Sequence, residues 1–123
     1  MSDTQRVIVF ETAPYWAPEL ERQFLSEPVA VRACRSIRDL EALVRQEPAA
    51  GVLLDLAADA GGCLRWLGRR EQQSPGPPAT VVASADHSRL EWYVRELGAV
   101  AFVSEFIGGR RMAAVFRKQW ERA

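Results

Sequence analysis

The stretch Ala50-Gly51-Val52-Leu53-Leu54-Asp55-Leu56 constrains this chain more than any other. A run that short and that apolar reads as a strand buried on both faces, as the central strands of parallel sheets are. Asp55 falls at its C-terminal end, the end where open parallel α/β sheets place their ligands and chemistry. A carboxylate there is either a reacting group or the residue that holds the following turn.

The rest of the chain supplies four more strands and five helices. Arg6-Val7-Ile8-Val9-Phe10-Glu11 is a second apolar run ending in an acid. After Thr12-Ala13-Pro14, a helix is predicted through about Glu27, with Pro18 in its first turn and Trp16, Leu20 and Phe24 at helical spacing. Val29 to Cys34 reads as a weaker strand, and Arg32 in its middle argues for a sheet edge. Ser36-Ile37-Arg38-Asp39 resembles a capping box and opens a helix with Ile37, Leu40, Leu43 and Val44 on its buried stripe.

Beyond Asp55, residues Ala57 to Gly62 read as a small-residue loop. A helix follows from about Gly62 to Glu71, with Cys63, Leu64 and Leu67 on one face and Trp66 at its border. Gln72-Gln73-Ser74-Pro75-Gly76-Pro77-Pro78 is a breaker-rich loop, too short for a domain linker. Ala79 to Ser84 is the next strand. Ser88-Arg89-Leu90-Glu91 has the form of a capping box for a helix ending at Gly98. Val100 to Val103 is the fifth strand, and a last helix follows Gly108-Gly109 with Met112, Val115 and Phe116 on one face. Strict alternation with short connections predicts an α/β, flavodoxin-like, doubly wound sheet of five parallel strands in the order 2-1-3-4-5. In that order the first and third strands are neighbours, which puts Glu11 beside Asp55.

Composition narrows the function classes. At 123 residues with 48% hydrophobic content, the chain reads as one domain, residues 1–123, able to build a core without staples. Sixteen basic residues balance sixteen acidic ones, which disfavours a nonspecific grip on nucleic acid or on anionic membrane. Fifteen of the basic residues are Arg, and Lys118 is the only lysine. No stretch is long enough for a membrane span, and Met1-Ser2-Asp3-Thr4 does not read as a signal peptide. Cys34 and Cys63 lack metal-type spacing and read as reduced, packed thiols. The expected location is cytoplasmic.

These features resemble the receiver domain of two-component response regulators, the CheY-like fold, in element order and length over almost the whole chain. The resemblance implies that the acids ending strand one and the Asp ending strand three hold Mg²⁺, and that this Asp accepts a phosphoryl group from a histidine kinase. Asp55 takes the phosphoacceptor position. The acid pair maps onto Glu11-Thr12, so one acid is kept and one is lost. The strand-four switch hydroxyl maps onto Ser84 or Ala83. Gly98-Ala99 and Phe102 match the family's approach to strand five and its switch aromatic. At the position of the family's invariant cation stands Glu105, and Phe106 replaces the following Pro; Lys118 lies deep in the last helix.

The departures bear on chemistry. Phosphorylating Asp55 needs cations around the incoming phosphoryl oxygens, whereas Glu11, Asp55 and Glu105 supply only negative charge. Mg²⁺ asks for a tight octahedron of oxygens, for which neutral Thr12 is a poor substitute. The chain is therefore expected to be a degenerate, stand-alone receiver that signals by protein contact, requiring no cofactor and binding Mg²⁺ weakly through Glu11 and Asp55 if at all. The alternative is an atypical but phosphorylatable receiver using Asp55, Mg²⁺ and Ser84. A small flavodoxin-like enzyme or ligand-binding protein is a third class, but Glu11-Thr12-Ala13-Pro14-Tyr15-Trp16 has the wrong composition for a flavin phosphate loop. His87 reads as a surface loop residue and Glu105 as solvated. No nucleophile motif supports an enzyme.

On the helix before Gly98, Leu90, Val94 and Leu97 share one face, and Trp92 points nearly opposite. An outward Trp is the residue type enriched at interface hot spots. The resemblance implies a contact surface formed by helix four, strand five and helix five. Trp92, Arg110, Arg111 and Trp120 are expected on that surface, facing a histidine kinase, a downstream target or a second copy.

Overall fold

The computed structural model describes residues 4–71 and 76–122. Five parallel strands, β1 (Gln5–Phe10), β2 (Val29–Cys34), β3 (Gly51–Asp55), β4 (Ala79–Val82) and β5 (Ala101–Val103), form one sheet in the order β2-β1-β3-β4-β5. Helices α1 (Trp16–Gln23), α2 (Ile37–Gln46), α3 (Ala60–Glu71), α4 (Glu91–Glu96) and α5 (Gly109–Glu121) connect and follow them. The expected fold class and strand order are those observed. The part of the breaker loop from Gln72 to Pro75, like Met1 to Asp3, lies outside the described residues.

Period-two alternation divides the sheet residues between two helical layers. Ile8, Phe10, Val52, Leu54 and Val81 pack with Leu40, Cys63, Leu67 and Val94 on the side of α2, α3 and α4. Val7, Val9 and Leu53 pack with Leu20, Phe24, Met112 and Phe116 on the side of α1 and α5. Because both faces are covered, β1 and β3 are buried almost end to end, which is why both are continuous apolar runs. β2 is the edge strand, and Arg32 in it is exposed. At Gly51 a Cβ would stand 2.8 Å from the Phe116 ring, so the start of β3 needs glycine for α5 to pack so close.

Local signals account for most helix boundaries. Ser36 Oγ accepts the Asp39 amide at 3.1 Å and caps α2. Gly98, with φ +100°, ends the α4 segment as expected. Several boundaries differ from the sequence reading: α1 ends at Gln23 rather than about Glu27, and β4 at Val82 rather than Ser84. Helix α3 starts at Ala60, not Gly62, because Asp59 Oδ1 accepts the Gly62 amide at 2.9 Å and caps it from within the expected loop. Trp66 is buried in its core face, whereas Leu64 is only partly buried. The capping box at Ser88 is not formed. A 3-10 turn spans Ala85–Leu90, and the Ser88 hydroxyl donates back to the Ala85 carbonyl at 2.9 Å. Such local back-bonding competes with capping for the same hydroxyl.

Cys34 and Cys63 are free and buried, and burial pushes both thiols up to about 12. Thiols held so far from ionisation are packing residues.

Candidate functional site

The site is built from the C-terminal ends of β1 and β3. Their register pairs Phe10 with Leu54, so the next residues, Glu11 and Asp55, emerge side by side. On the other flank Asp55 pairs with Val82 of β4, and Val82 with Val103 of β5. Parallel topology alone therefore gathers the loops after β1, β3, β4 and β5 around Asp55.

Glu11 is 4% exposed, and its carboxylate is committed to the backbone. Oε2 accepts the amides of Tyr15 at 3.1 Å and Ala17 at 3.0 Å, and Oε1 accepts the amide of Trp16 at 2.9 Å. These are orphan amides at the N-terminus of α1, where Tyr15 offers no side-chain cap of its own. A buried carboxylate satisfied by helix N-terminal amides is a capping group, stabilised further by the positive end of the helix dipole. The sequence reading placed Glu11 as a candidate Mg²⁺ ligand; its two oxygens instead hold the turn from β1 into α1.

Asp55 is partly exposed at the rim of the site. Its Oδ1 accepts the Ala57 amide at 3.0 Å, and its backbone carbonyl accepts the Cys63 thiol at 3.9 Å. Burial pushes its carboxyl above the ordinary Asp value. The Ala57 amide pulls the other way, the Glu11 carboxylate adds to the rise, and the His87 imidazole counters it. His87, expected as a surface loop residue, is partly buried near Asp55, with its Nδ1 shielded from solvent and without a hydrogen-bond partner. In the sequence, the only signal for it was its place just after the fourth strand.

The other site positions fall as follows. Ala83 is buried on the Leu54 side of the sheet, its amide donating to Val103 O at 2.8 Å. Ser84 is exposed beyond the end of β4. Neither position presents a buried hydroxyl at this strand end. Phe102 is partly buried and packs against the α2–α3–α4 side of the core. Glu105 is exposed and is not among the groups that shift Asp55.

Two aromatic residues at the site were not singled out from the sequence. Tyr15 and Phe106, from the loops after β1 and β5, stand with ring centroids 6.1 Å apart, and Phe106 is 78% exposed. The replacement of Pro by Phe106 was legible, but its partner in another loop was not.

As placed, these side chains do not fit a resident Mg²⁺. The ion demands near-ideal octahedral oxygen ligands. Glu11 has both oxygens engaged by three amides, Thr12 is an exposed neutral side chain, and Asp55 has one oxygen in a turn. Among the described residues, no group of three or more His, Cys, Asp and Glu side chains is gathered so that it could hold a metal ion.

Of the expected partner-face residues, Trp92 is 68% exposed, its ring 5.7 Å from that of Tyr93, and Arg110 and Arg111 are exposed on α5. Trp120 does not belong with them. Its indole N–H donates to Ala50 O at 3.2 Å, and its ring packs 5.6 Å from Phe24 and 6.1 Å from Phe116. It packs on the α1–α5 side of the core rather than facing outward.

No protein-family model matches the chain, and no curated protein matches it in sequence. Solved structures do match in shape. The receiver domain of the TMAO respiratory system response regulator TorR superposes with a TM-score of 0.80 at 18% identity, over 96% of this chain and 98% of that one. A response regulator from Thermotoga maritima gives 0.82 at 14% identity, over 96% and 98%. The beryllofluoride-activated receiver domain dimer of NtrC4 gives 0.81 at 16% identity, over 95% and 97%. Identities this low speak for architecture, not for retained chemistry. Strand order, helix layers and these superpositions agree: the chain has the fold of response-regulator receiver domains.

Proposed function

We propose that this chain is a receiver-type module of two-component signalling that works through protein contact, with Asp55 serving as a structural acid rather than as a routine phosphoacceptor. The observation that carries this reading is the commitment of Glu11 to three α1 amides. Phosphoryl transfer depends on cationic stabilisation of the phosphoryl oxygens. With Glu11 occupied and Glu105 where a cation would serve, Asp55 is left without that support.

The contact surface in this reading is the outer face of α4 with β5 and α5. It presents exposed Trp92 and Tyr93, with Arg110 and Arg111 on α5. A kinase, a downstream target or a second copy would bury Trp92, and we place that encounter in the cytoplasm. Among the described residues no helix is long and apolar enough to cross a membrane.

A second reading, a phosphorylatable receiver, is favoured by one observation: the His87 imidazole lies near Asp55 and opposes the rise of its carboxyl. Amide NMR with Mg²⁺ and beryllofluoride separates the two. The first reading expects no saturable shifts around Asp55, Ser84 and Phe102. Saturable shifts that Asp55→Asn abolishes would establish the second.

A further inference from the structure

At the opposite end of the sheet, a cavity of about 840 Å³ opens between α2, α3 and the segments leading into β3 and β4. That volume lies within the range of small-molecule sites, roughly 300–1,000 Å³. Its walls are unequal in charge. Arg45, Arg69 and Arg70 line it, with Glu41 the one acid among the described lining residues.

Glu41 is shared. Arg69 bonds to its Oε1, and Arg45 approaches its Oε2 at 4.0 Å. Arg70 pairs with no carboxylate among the described contacts. Its guanidinium lies 5.2 Å from the Trp66 ring centroid and donates one hydrogen bond to the Pro77 carbonyl. A guanidinium carries five N–H donors in a fixed plane, so stacking on Trp66 orients the remaining ones. Trp66 itself is 5% exposed beneath Arg70, and Pro48, Pro77 and Pro78 give the cavity its rigid apolar wall. Burial of Arg70 lowers its tendency to hold its proton, the signature of a cation kept partly out of water.

We infer that this cavity binds a small organic anion: an apolar body bearing phosphate or carboxylate groups, with its anionic groups on Arg69 and Arg70 and its body against Pro77 and Pro78. Guanidinium forks match either oxyanion in a bidentate manner. The site lies on the order of 15 Å from Asp55 along β3, and it stands whether or not Asp55 is phosphorylated.

The test is an amide and indole NMR titration of the full chain with phenyl phosphate, with phthalate and with neutral benzamide. One or both anions should give saturable shifts at Ala49, Gly76 and the Trp66 indole, leaving Asp55 and Ser84 unmoved. The arm that saturates at the lower concentration identifies the preferred oxyanion, and benzamide should not saturate. Replacing both exposed arginines, Arg45→Gln with Arg69→Gln, should weaken binding about tenfold or more without lowering the melting temperature. Absence of saturable shifts with both anions, equal saturation by benzamide, or undiminished affinity in the folded double variant would each overturn the inference.

Discussion

Glu11→Gln exchanges one oxygen for an NH2 group and removes one negative charge from a buried position. The glutamine carbonyl can take the place of Oε2 and keep the Tyr15 and Ala17 amides. Its NH2 then faces the Trp16 N–H, a donor against a donor, where a 2.9 Å hydrogen bond stood. Losing one hydrogen bond to a charged group costs about 1.5–3 kcal/mol, and losing the charge at a helix N-terminus costs about 0.3–1 kcal/mol more. An amide is cheaper to bury than a carboxylate, so the net loss belongs near the lower end, about 2–3 kcal/mol. For a domain of this size that is roughly 6–15 °C in melting temperature. Urea melts should show a lower midpoint with an unchanged slope. The loss should be the same with and without Mg²⁺, because a cap needs no metal. A variant within about 0.5 kcal/mol of the parent, or one whose deficit appears only with Mg²⁺ present, would refute the capping role and return Glu11 to the metal.

The two tryptophans assigned to one surface by sequence should respond in opposite ways. Trp120→Ala removes an indole wedged against Phe24 and Phe116 and should cost about 3 kcal/mol in urea melts. Trp92→Ala should stay within about 0.5 kcal/mol while weakening capture of a partner or self-association, and a large stability loss there would place Trp92 in the core. Asp55→Asn should stabilise the protein at neutral pH. The raised carboxyl keeps its proton in the native state over a range where the unfolded chain has released it, so stability is lost as pH rises through that range. Asparagine keeps the Ala57 contact and never ionises, so its advantage should vanish as pH falls below the ordinary Asp value. An advantage independent of pH, or none at neutral pH, would contradict this.

Much of the fold was legible because buried parallel strands leave an unmistakable pattern. Val7 to Phe10 and Val52 to Leu54 are continuous apolar runs since both layers of helices cover them. The register of β1 on β3, and hence the pairing of Glu11 with Asp55, follows from strand order alone. What was not legible is where a side chain ends. Glu11 could be placed at the strand end, but nothing in its neighbours announced that the amides of Tyr15, Trp16 and Ala17 would claim its oxygens. Ser88-Arg89-Leu90-Glu91 had the letters of a capping box, yet the chain turns too early and the hydroxyl finds Ala85 first. The run from Ala57 to Gly62 read as a small-residue loop, yet Asp59 inside it caps α3. Trp92 lies far from the apolar stripe of α4 and was legible as outward, whereas periodicity did not reveal that Trp120 on α5 would turn in against Phe24 and Phe116.

The two unusual features of the strand-end site belong to one electrostatic problem. Two carboxylates emerging side by side from β1 and β3 repel, and here no lysine and no fitting metal set lies between them. The N-terminus of α1 supplies the missing positive potential, about half an elementary charge concentrated on its free amides. Glu11 turns into that field and is neutralised there by hydrogen bonds of 2.9–3.1 Å. What remains is Asp55 alone, with its carboxyl raised by burial and only the Ala57 amide and His87 to oppose the rise. The same orientation that satisfies Glu11 turns its oxygens toward the α1 amides and away from Asp55, and it is on this orientation that the proposed reading of Asp55 as a structural acid rests.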